Sequence, residues 1–283
     1  MKIVHTIADL RAHLRQFESP AFVPTMGNLH EGHLRLIDQA KPLGDVCVAS
    51  IFVNRLQFGP NEDFDSYPRT LESDCALLAE RGCDLVFAPK ESELYPQAQT
   101  FTVQPDAALA NVLEGAFRPG FFQGVATVVM KLFQCVFSHV GEQGHAVFGE
   151  KDFQQLLVIR HLVQQFALPI SIHGGAIARA SDGLALSSRN GYLNTEERAE
   201  AVALSQALAQ MVERVKSGER DWQALESDAM QTLSQRGWGP DYMTVRRRHD
   251  LQLPQESDQE LVVLGAARLG PARLIDNLSF DRA

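Results

Sequence analysis

The chain has 283 residues, 45% of them hydrophobic and 22% charged, the make-up of a soluble globular protein with room for one large domain or two ordinary ones. Its 26 Lys and Arg against 35 Asp and Glu give a net charge of −9, which argues against a nucleic-acid partner while leaving open a locally positive pocket for a small anion. The apolar runs are too short and interrupted to span a bilayer, and MKIVHTIADL lacks the sustained apolar stretch of a signal peptide, so no membrane partner and a cytoplasmic location are expected.

In chain order, residues 21–23 read as a strand and 32–40 as a helix with Leu34, Ile37 and Ala40 on one face. Residues 46–53, VCVASIFV, form a nearly continuous apolar run of the kind found in a parallel strand covered on both faces. Leu71, Cys75 and Leu78 mark a helix closed by Arg81-Gly82, and residues 84–88 a strand stopped by Pro89. A helix through Val125, Val129, Leu132 and Val136, a strand at 146–148, a helix at 152–166 and a strand at 170–172 continue the alternation. Alternating strands and helices predict an α/β fold with a doubly wound parallel sheet.

After Gly174-Gly175 the pattern changes. A polar, turn-rich stretch at 179–194 precedes a helix over 196–215, whose start is signalled by Asn194 and Glu197 as a capping box. A helix over 221–236 and strands at 242–246, 261–267 and 273–275 follow. Two domains are expected, residues 1–176 and a smaller C-terminal α+β domain at 177–283. Cys47, Cys75, Cys83 and Cys135 show no CxxC spacing and read as buried reduced thiols.

The stretch PTMGNLHEGH places Gly27, His30 and His33 where the first strand gives way to a helix. In an open parallel sheet ligands bind beyond the carboxyl ends of the strands, and a helix start offers backbone N–H groups to an anion. Gly27 permits close backbone approach, and the two imidazoles can add hydrogen bonds to a phosphate. Zinc binding would need a third ligand and an HExxH-like helix, and Gly32 weakens that alternative; two merely structural histidines are the other. FGEKDFQQ, residues 148–155, repeats the strand-to-helix setting: Gly149 for approach, Lys151 for phosphate charge, Asp152 for a ribose hydroxyl or Mg²⁺. The alternative is that Lys151 and Asp152 are an exposed pair on an ordinary helix. LSSRN, residues 186–190, supplies two hydroxyls and a guanidinium on a polar loop suited to phosphates and to a departing pyrophosphate. Gln57, in SIFVNRLQF, offers a donor and an acceptor beside apolar Phe52 and Phe58, which suits a small branched hydroxy acid.

These stretches, with YPRTLESD, LEGAFRPG, GVATVV, DGLALSSRNGYL and RLIDN, run in the order seen in the pantothenate synthetase (pantoate-β-alanine ligase) family, which the sequence resembles over essentially its whole length. The resemblance implies a Rossmann-like nucleotidyltransferase domain of the HxGH group, a C-terminal lid and a homodimer. It implies that ATP and pantoate give a bound pantoyl adenylate and pyrophosphate, after which β-alanine displaces AMP. Met26, Gly27, Asn28, Leu29, His30, Glu31, Gly32 and His33 would contact ATP, as would Gly149, Glu150, Lys151, Asp152, Ala178, Leu186, Ser187, Ser188 and Arg189. His33 would be the proton donor, with His30, Lys151 and Arg189 completing the catalytic set; Gln57 would bind pantoate and β-alanine, and Gln155 pantoate. Mg²⁺ should arrive with ATP and needs no dedicated protein cage; Asp74 is a minor candidate for touching it, beside the reading of an ordinary helix carboxylate. Hinges are expected at Gly174, Gly175 and Asp182-Gly183. The chain departs from the family's pattern at Arg55, where Pro is usual, at Phe121, where His is usual, and over 138–145. Another HxGH adenylyltransferase and a nucleotide-binding protein without catalysis are the alternatives.

Overall fold

The computed structural model describes residues 1–60, 62–140 and 143–282, so Gly141 and Glu142 of the divergent 138–145 stretch lie outside the described residues. Six strands form one parallel sheet: β1 (Lys2–Val4), β2 (Pro20–Thr25), β3 (Val46–Ile51), β4 (Leu85–Phe87), β5 (Gly144–Gly149) and β6 (Ile170–Gly175), in the order β1-β4-β3-β2-β5-β6. Helices α1 (Ile7–Leu14), α2 (Glu31–Ala40), α3 (Leu71–Glu80), α7 (Phe121–Val136) and α8 (Phe153–Gln165) alternate with the strands, and three one-turn helices, α4 (Glu91–Leu94), α5 (Ala107–Ala110) and α6 (Glu114–Phe117), lie between β4 and α7. The strand order reverses at β2, which pairs with β3 on one side and β5 on the other. That reversal is where a doubly wound sheet opens a crevice at its carboxyl edge.

Successive side chains of a strand face opposite ways, and β2 shows what this does. Ala21 and Val23 join Leu36, Ile37, Cys47, Cys75, Leu78 and Val86 in one core. Phe22 instead meets Phe133 and Phe137 edge-on, with ring centroids 6.5 and 6.2 Å away. A strand apolar on both faces is therefore roofed twice, as the continuous apolar run in β3 also requires. All four cysteines are free and buried.

The chain forms two units, Met1–Glu150 with Gln155–Ala176, and Lys151–Gln154 with Ile177–Ala283. The second contains α9 (Thr195–Glu200), α10 (Ala203–Lys216), α11 (Trp222–Gln235) and an antiparallel sheet of β7 (Gly239–Arg247), β8 (Glu260–Leu269) and β9 (Ala272–Asp281). Leu204, Leu208, Met211 and Val215 recur at helical spacing on α10 and pack with Leu225 and Leu233 of α11 and Val245, Leu261 and Val263 of the sheet.

Two expectations are corrected here. The helix over 196–215 is two helices, because the chain turns at Ala201 and Val202, and no Gly or Pro stands there to signal it. The strand expected at 170–172 runs on through Gly174 and Gly175, which are the last residues of β6, paired with Phe148 and Gly149. Their lack of side chains serves close packing: a Cβ on Gly175 would stand 2.2 Å from Leu36 Cδ2, and one on Gly174 2.6 Å from Glu150 Oε1.

Candidate active site

The loop after β2 is locked by bonds from its own backbone. Gly27 has φ +87° and Asn28 φ +51°, the second a left-handed conformation that costs a non-glycine residue about 1 kcal/mol or more. The Gly27 N–H donates to Thr25 Oγ1 (3.3 Å), and the Asn28 and Leu29 N–H groups donate to Asp74 Oδ2 and Oδ1 (2.9 Å each). The helix start, expected to offer its backbone N–H groups to an anion, spends the Gly32 N–H on His30 Nδ1 (3.1 Å), while the His30 N–H donates to His33 Nδ1 (3.3 Å). This is a capping box in which both members are histidines. A ring nitrogen that accepts from a backbone N–H carries no proton, so each neutral imidazole holds its proton on Nε2. The rings lie 4.1 Å apart, and the pair presents two Nε2–H donors in place of backbone groups. The Glu31 carboxylate engages Arg81 and, at 3.7 Å, Arg35 on the helix surface.

Gln57 sits at the end of a 3-10 turn, Arg55–Gln57, after β3. Its Nε2 approaches Met26 Sδ at 3.1 Å, which brings the amide against the histidine loop. Its Oε1 accepts from Asn54 Nδ2 (3.1 Å), Asn54 Nδ2 also donates to the Gly124 carbonyl (3.2 Å), and Asn54 Oδ1 accepts from the Tyr95 hydroxyl (2.9 Å). Burial, with the Glu91 charge second, pushes the Tyr95 phenol up, so it stays a donor. The chain of bonds fixes which end of the Gln57 amide is the acceptor and turns its NH₂ toward Met26. Arg118 binds Glu62 through Nε (2.7 Å) and Nη2 (2.6 Å), donates to the Gln57 carbonyl (3.3 Å) and covers the Phe121 ring at 3.7 Å. The phenylalanine that replaces the usual histidine therefore packs on Arg118. Arg55 stands exposed, donating to Glu91 Oε1 (3.0 Å) and covering the Phe64 ring at 4.0 Å, so the missing proline leaves the Gln57 turn intact.

In the second unit Ala178, buried, accepts at its carbonyl from the Leu186 N–H (2.9 Å), closing the loop that carries the SSR stretch. Ser187 caps the 3-10 turn Ser188–Tyr192, its Oγ accepting from the Arg189 N–H (3.2 Å). Arg179 holds the loop's base, donating to Asp276 Oδ2 and Oδ1 (2.7 and 2.8 Å), the Gly183 carbonyl (3.0 Å) and the Asn277 carbonyl (3.3 Å). Asn277 Nδ2 donates to the Lys151 carbonyl at 3.0 Å, and Lys151, Ser187, Asn190 and Asp276 line one small pocket. Asp182 pairs with Arg198 (2.7 Å), and that bond, with the Leu184 N–H, lowers its carboxyl below the usual range.

The structure thus joins His30, His33, Met26 and Gln57 in the first unit, and Lys151 and Ser187 in the second. Gly149 ends β5, beside β2, and Gln155 lies half-buried on the first turn of α8. Sequence reasoning missed Asp74's hold on the loop, the Asn54–Tyr95 chain, Arg118, and the Arg179–Asp276–Asn277 brace. Their motifs, YPRTLESD, LEGAFRPG and RLIDN, were visible; their partners are distant in the chain. Asp74 is not the ordinary helix carboxylate expected of it.

A parallel sheet whose order reverses beside a loop presenting two imidazole donors is the architecture of a nucleotide-using α/β enzyme. The family model described as pantoate-beta-alanine ligase matches residues 2–279, and the chain belongs to that family, a family of ligases. It is 62% identical over 282 residues to the pantothenate synthetase of Verminephrobacter eiseniae, covering 99% of this chain and 100% of that one. It is equally 62% identical, over 283 residues, to that of Paracidovorax citrulli, covering 99% of this chain and 100% of that one. The crystal structure of pantothenate synthetase from Thermus thermophilus superposes with a TM-score of 0.91 at 44% identity, covering 98% of this chain and 99% of that one. A Francisella tularensis pantoate-beta-alanine ligase, crystallised with beta-gamma ATP and beta-alanine, superposes with a TM-score of 0.79 at 31% identity over 98% of this chain and 97% of that one. Among the described residues no helix is long and apolar enough to cross a membrane.

Proposed function

We propose that the chain condenses pantoate with β-alanine at the expense of ATP, giving pantothenate, AMP and pyrophosphate through a bound pantoyl adenylate. The observation that carries this is the contact between Gln57 Nε2 and Met26 Sδ at 3.1 Å, which sets an amide donor for a hydroxy acid against the loop that offers two imidazole donors to phosphate. A carboxylate resists attack by an amine because oxide is a poor leaving group, so it must first be activated. A pantoate carboxylate oxygen bonds to the ATP α-phosphorus and the bond to the β-phosphate bridging oxygen breaks, releasing pyrophosphate. The β-alanine amine then attacks the acyl carbon, the acyl–oxygen bond breaks, AMP departs, and the nitrogen loses its proton.

His30 and His33 donate Nε2–H to phosphate oxygens as charge builds on them, with His33 the proton donor; Lys151 and Arg189 compensate the remaining charge. Met26 to His33, Gly149 to Asp152, Ala178 and Leu186 to Arg189 form the ATP contacts. Gln57 binds pantoate and β-alanine, and Gln155 binds pantoate. Mg²⁺ would arrive on the triphosphate, whose charge it offsets. Residues 177–283 act as a lid that keeps water from the adenylate, and the protein is a cytoplasmic homodimer, as the family resemblance implies.

The test is product formation from ATP by purified protein with each substrate omitted in turn. AMP and pantothenate should appear in equal amounts only when pantoate and β-alanine are both present. ATP binding without turnover would sink the reading in favour of a binding protein, and AMP transfer to a phosphate acceptor would replace it with another HxGH adenylyltransferase.

A further inference from the structure

We infer that Asp74 is a positioning residue for the reaction: its carboxylate holds the backbone from which His30 and His33 present their Nε2–H groups. The inference takes the loop's role in ATP chemistry from the function proposed above, and the way the loop is held from geometry alone.

Asp74 lies in the first turn of α3, yet its side chain serves another segment. It is 1% exposed, and both oxygens point at loop donors, Oδ1 at the Leu29 N–H and Oδ2 at the Asn28 N–H, each at 2.9 Å. The Thr70 hydroxyl donates to the same Oδ2 at 3.0 Å and orients the group. A charged acceptor bridging two consecutive N–H groups fixes the peptide planes on either side of Asn28, the residue with φ +51°. The next N–H, that of His30, is the one that sets the His33 tautomer. Gly27 belongs to the same device, because a Cβ there would stand 3.0 Å from Asp74 Oδ2 and crowd the carboxylate. Buried and turned on three protein donors, this carboxylate is spent on the backbone and not on a hydrated cation.

Asp74→Asn keeps the shape and replaces one acceptor oxygen by an NH₂ that faces a backbone N–H. Amide hydrogen exchange at Asn28 and Leu29, which needs no substrate, should quicken at least about tenfold. Turnover should fall about 100-fold in kcat, because the misplaced imidazoles act on the reacting phosphate, while the Mg²⁺ concentration for half-maximal rate stays put. Thr70→Val, which folds with less risk, should lower kcat about fivefold, and Thr70→Ser should restore it. Unchanged exchange in Asp74→Asn overturns the inference, as does a variant that loses activity only by needing more Mg²⁺. Faster exchange with undiminished kcat overturns it too, since the brace would then position nothing. If wild-type protein makes no pantothenate, the function proposed above falls, and the exchange measurement still decides whether Asp74 holds the loop.

Discussion

The two loops that carry the candidate catalytic groups are held by opposite chemistry. In the first unit a carboxylate, Asp74, gathers the N–H groups of Asn28 and Leu29. In the second a guanidinium, Arg179, takes the loop carbonyl of Gly183 and ties it to the Asp276 carboxylate and the Asn277 carbonyl of β9. In each case one buried or half-buried ion pairs with peptide groups of the loop. The difference lies in what each loop must present. The first loop, with the N–H groups of Asn28 and Leu29 bound to a carboxylate, carries its proposed donors on imidazoles, and the second, held at Gly183, carries them on Ser187, Ser188 and Arg189.

The largest expected effect separates chemistry from support. His33→Ala should cut adenylate formation, followed as pantoate-dependent pyrophosphate release, by about 10³-fold. Stability should drop only by about 1 kcal/mol, the value of the bond from the His30 N–H. Equal losses in both would erase the contrast between the loops. Arg179→Ala should do the reverse: the Asp276 carboxylate, 3% exposed, loses its partner, and urea unfolding should register about 3 kcal/mol as a lower midpoint with unchanged slope. Tyr95→Phe comes next. Without the hydroxyl that fixes Asn54, the Gln57 amide is less firmly oriented, and kcat/KM for pantoate should fall about fivefold, equivalent to about 1 kcal/mol, with little change for ATP.

The smallest effect concerns acid stability. His145 Nδ1 and His173 Nε2 are 3.1 Å apart on β5 and β6, and burial, then the charges of His145 and Arg160, push the His173 imidazole below its usual range. The unfolded chain thus binds this proton more readily than the folded one, so stability should fall as pH drops below about 6.5, until the lowered folded value is passed. His173→Gln should flatten that part of the pH curve; a slope identical to wild type would remove His173 as its source.

What could be read from the chain follows sequence distance. The alternating pattern named the parallel sheet because each strand and each helix declares itself within its own residues. Asn194 and Glu197 announced a capping box that the structure contains, since both bonds span three residues. The His30–His33 box is equally local, but its meaning lay in which ring nitrogen accepts, and residue order carries no tautomer. Asp74 is 46 positions from Asn28, and Arg179 is 97 from Asp276, so only the fold could pair them. The packing role of Gly174 and Gly175 was hidden for a related reason. The close contact that forbids a side chain at Gly175 is with Leu36, which comes from a distant helix.

The four residues Lys151–Gln154 belong to the second unit although the first surrounds them in the chain. A gene fragment beginning at residue 177 would therefore encode an incomplete body: Asn277 would lose the Lys151 carbonyl, and the small pocket one of its walls. The second unit is thus drawn from two separate stretches of the chain.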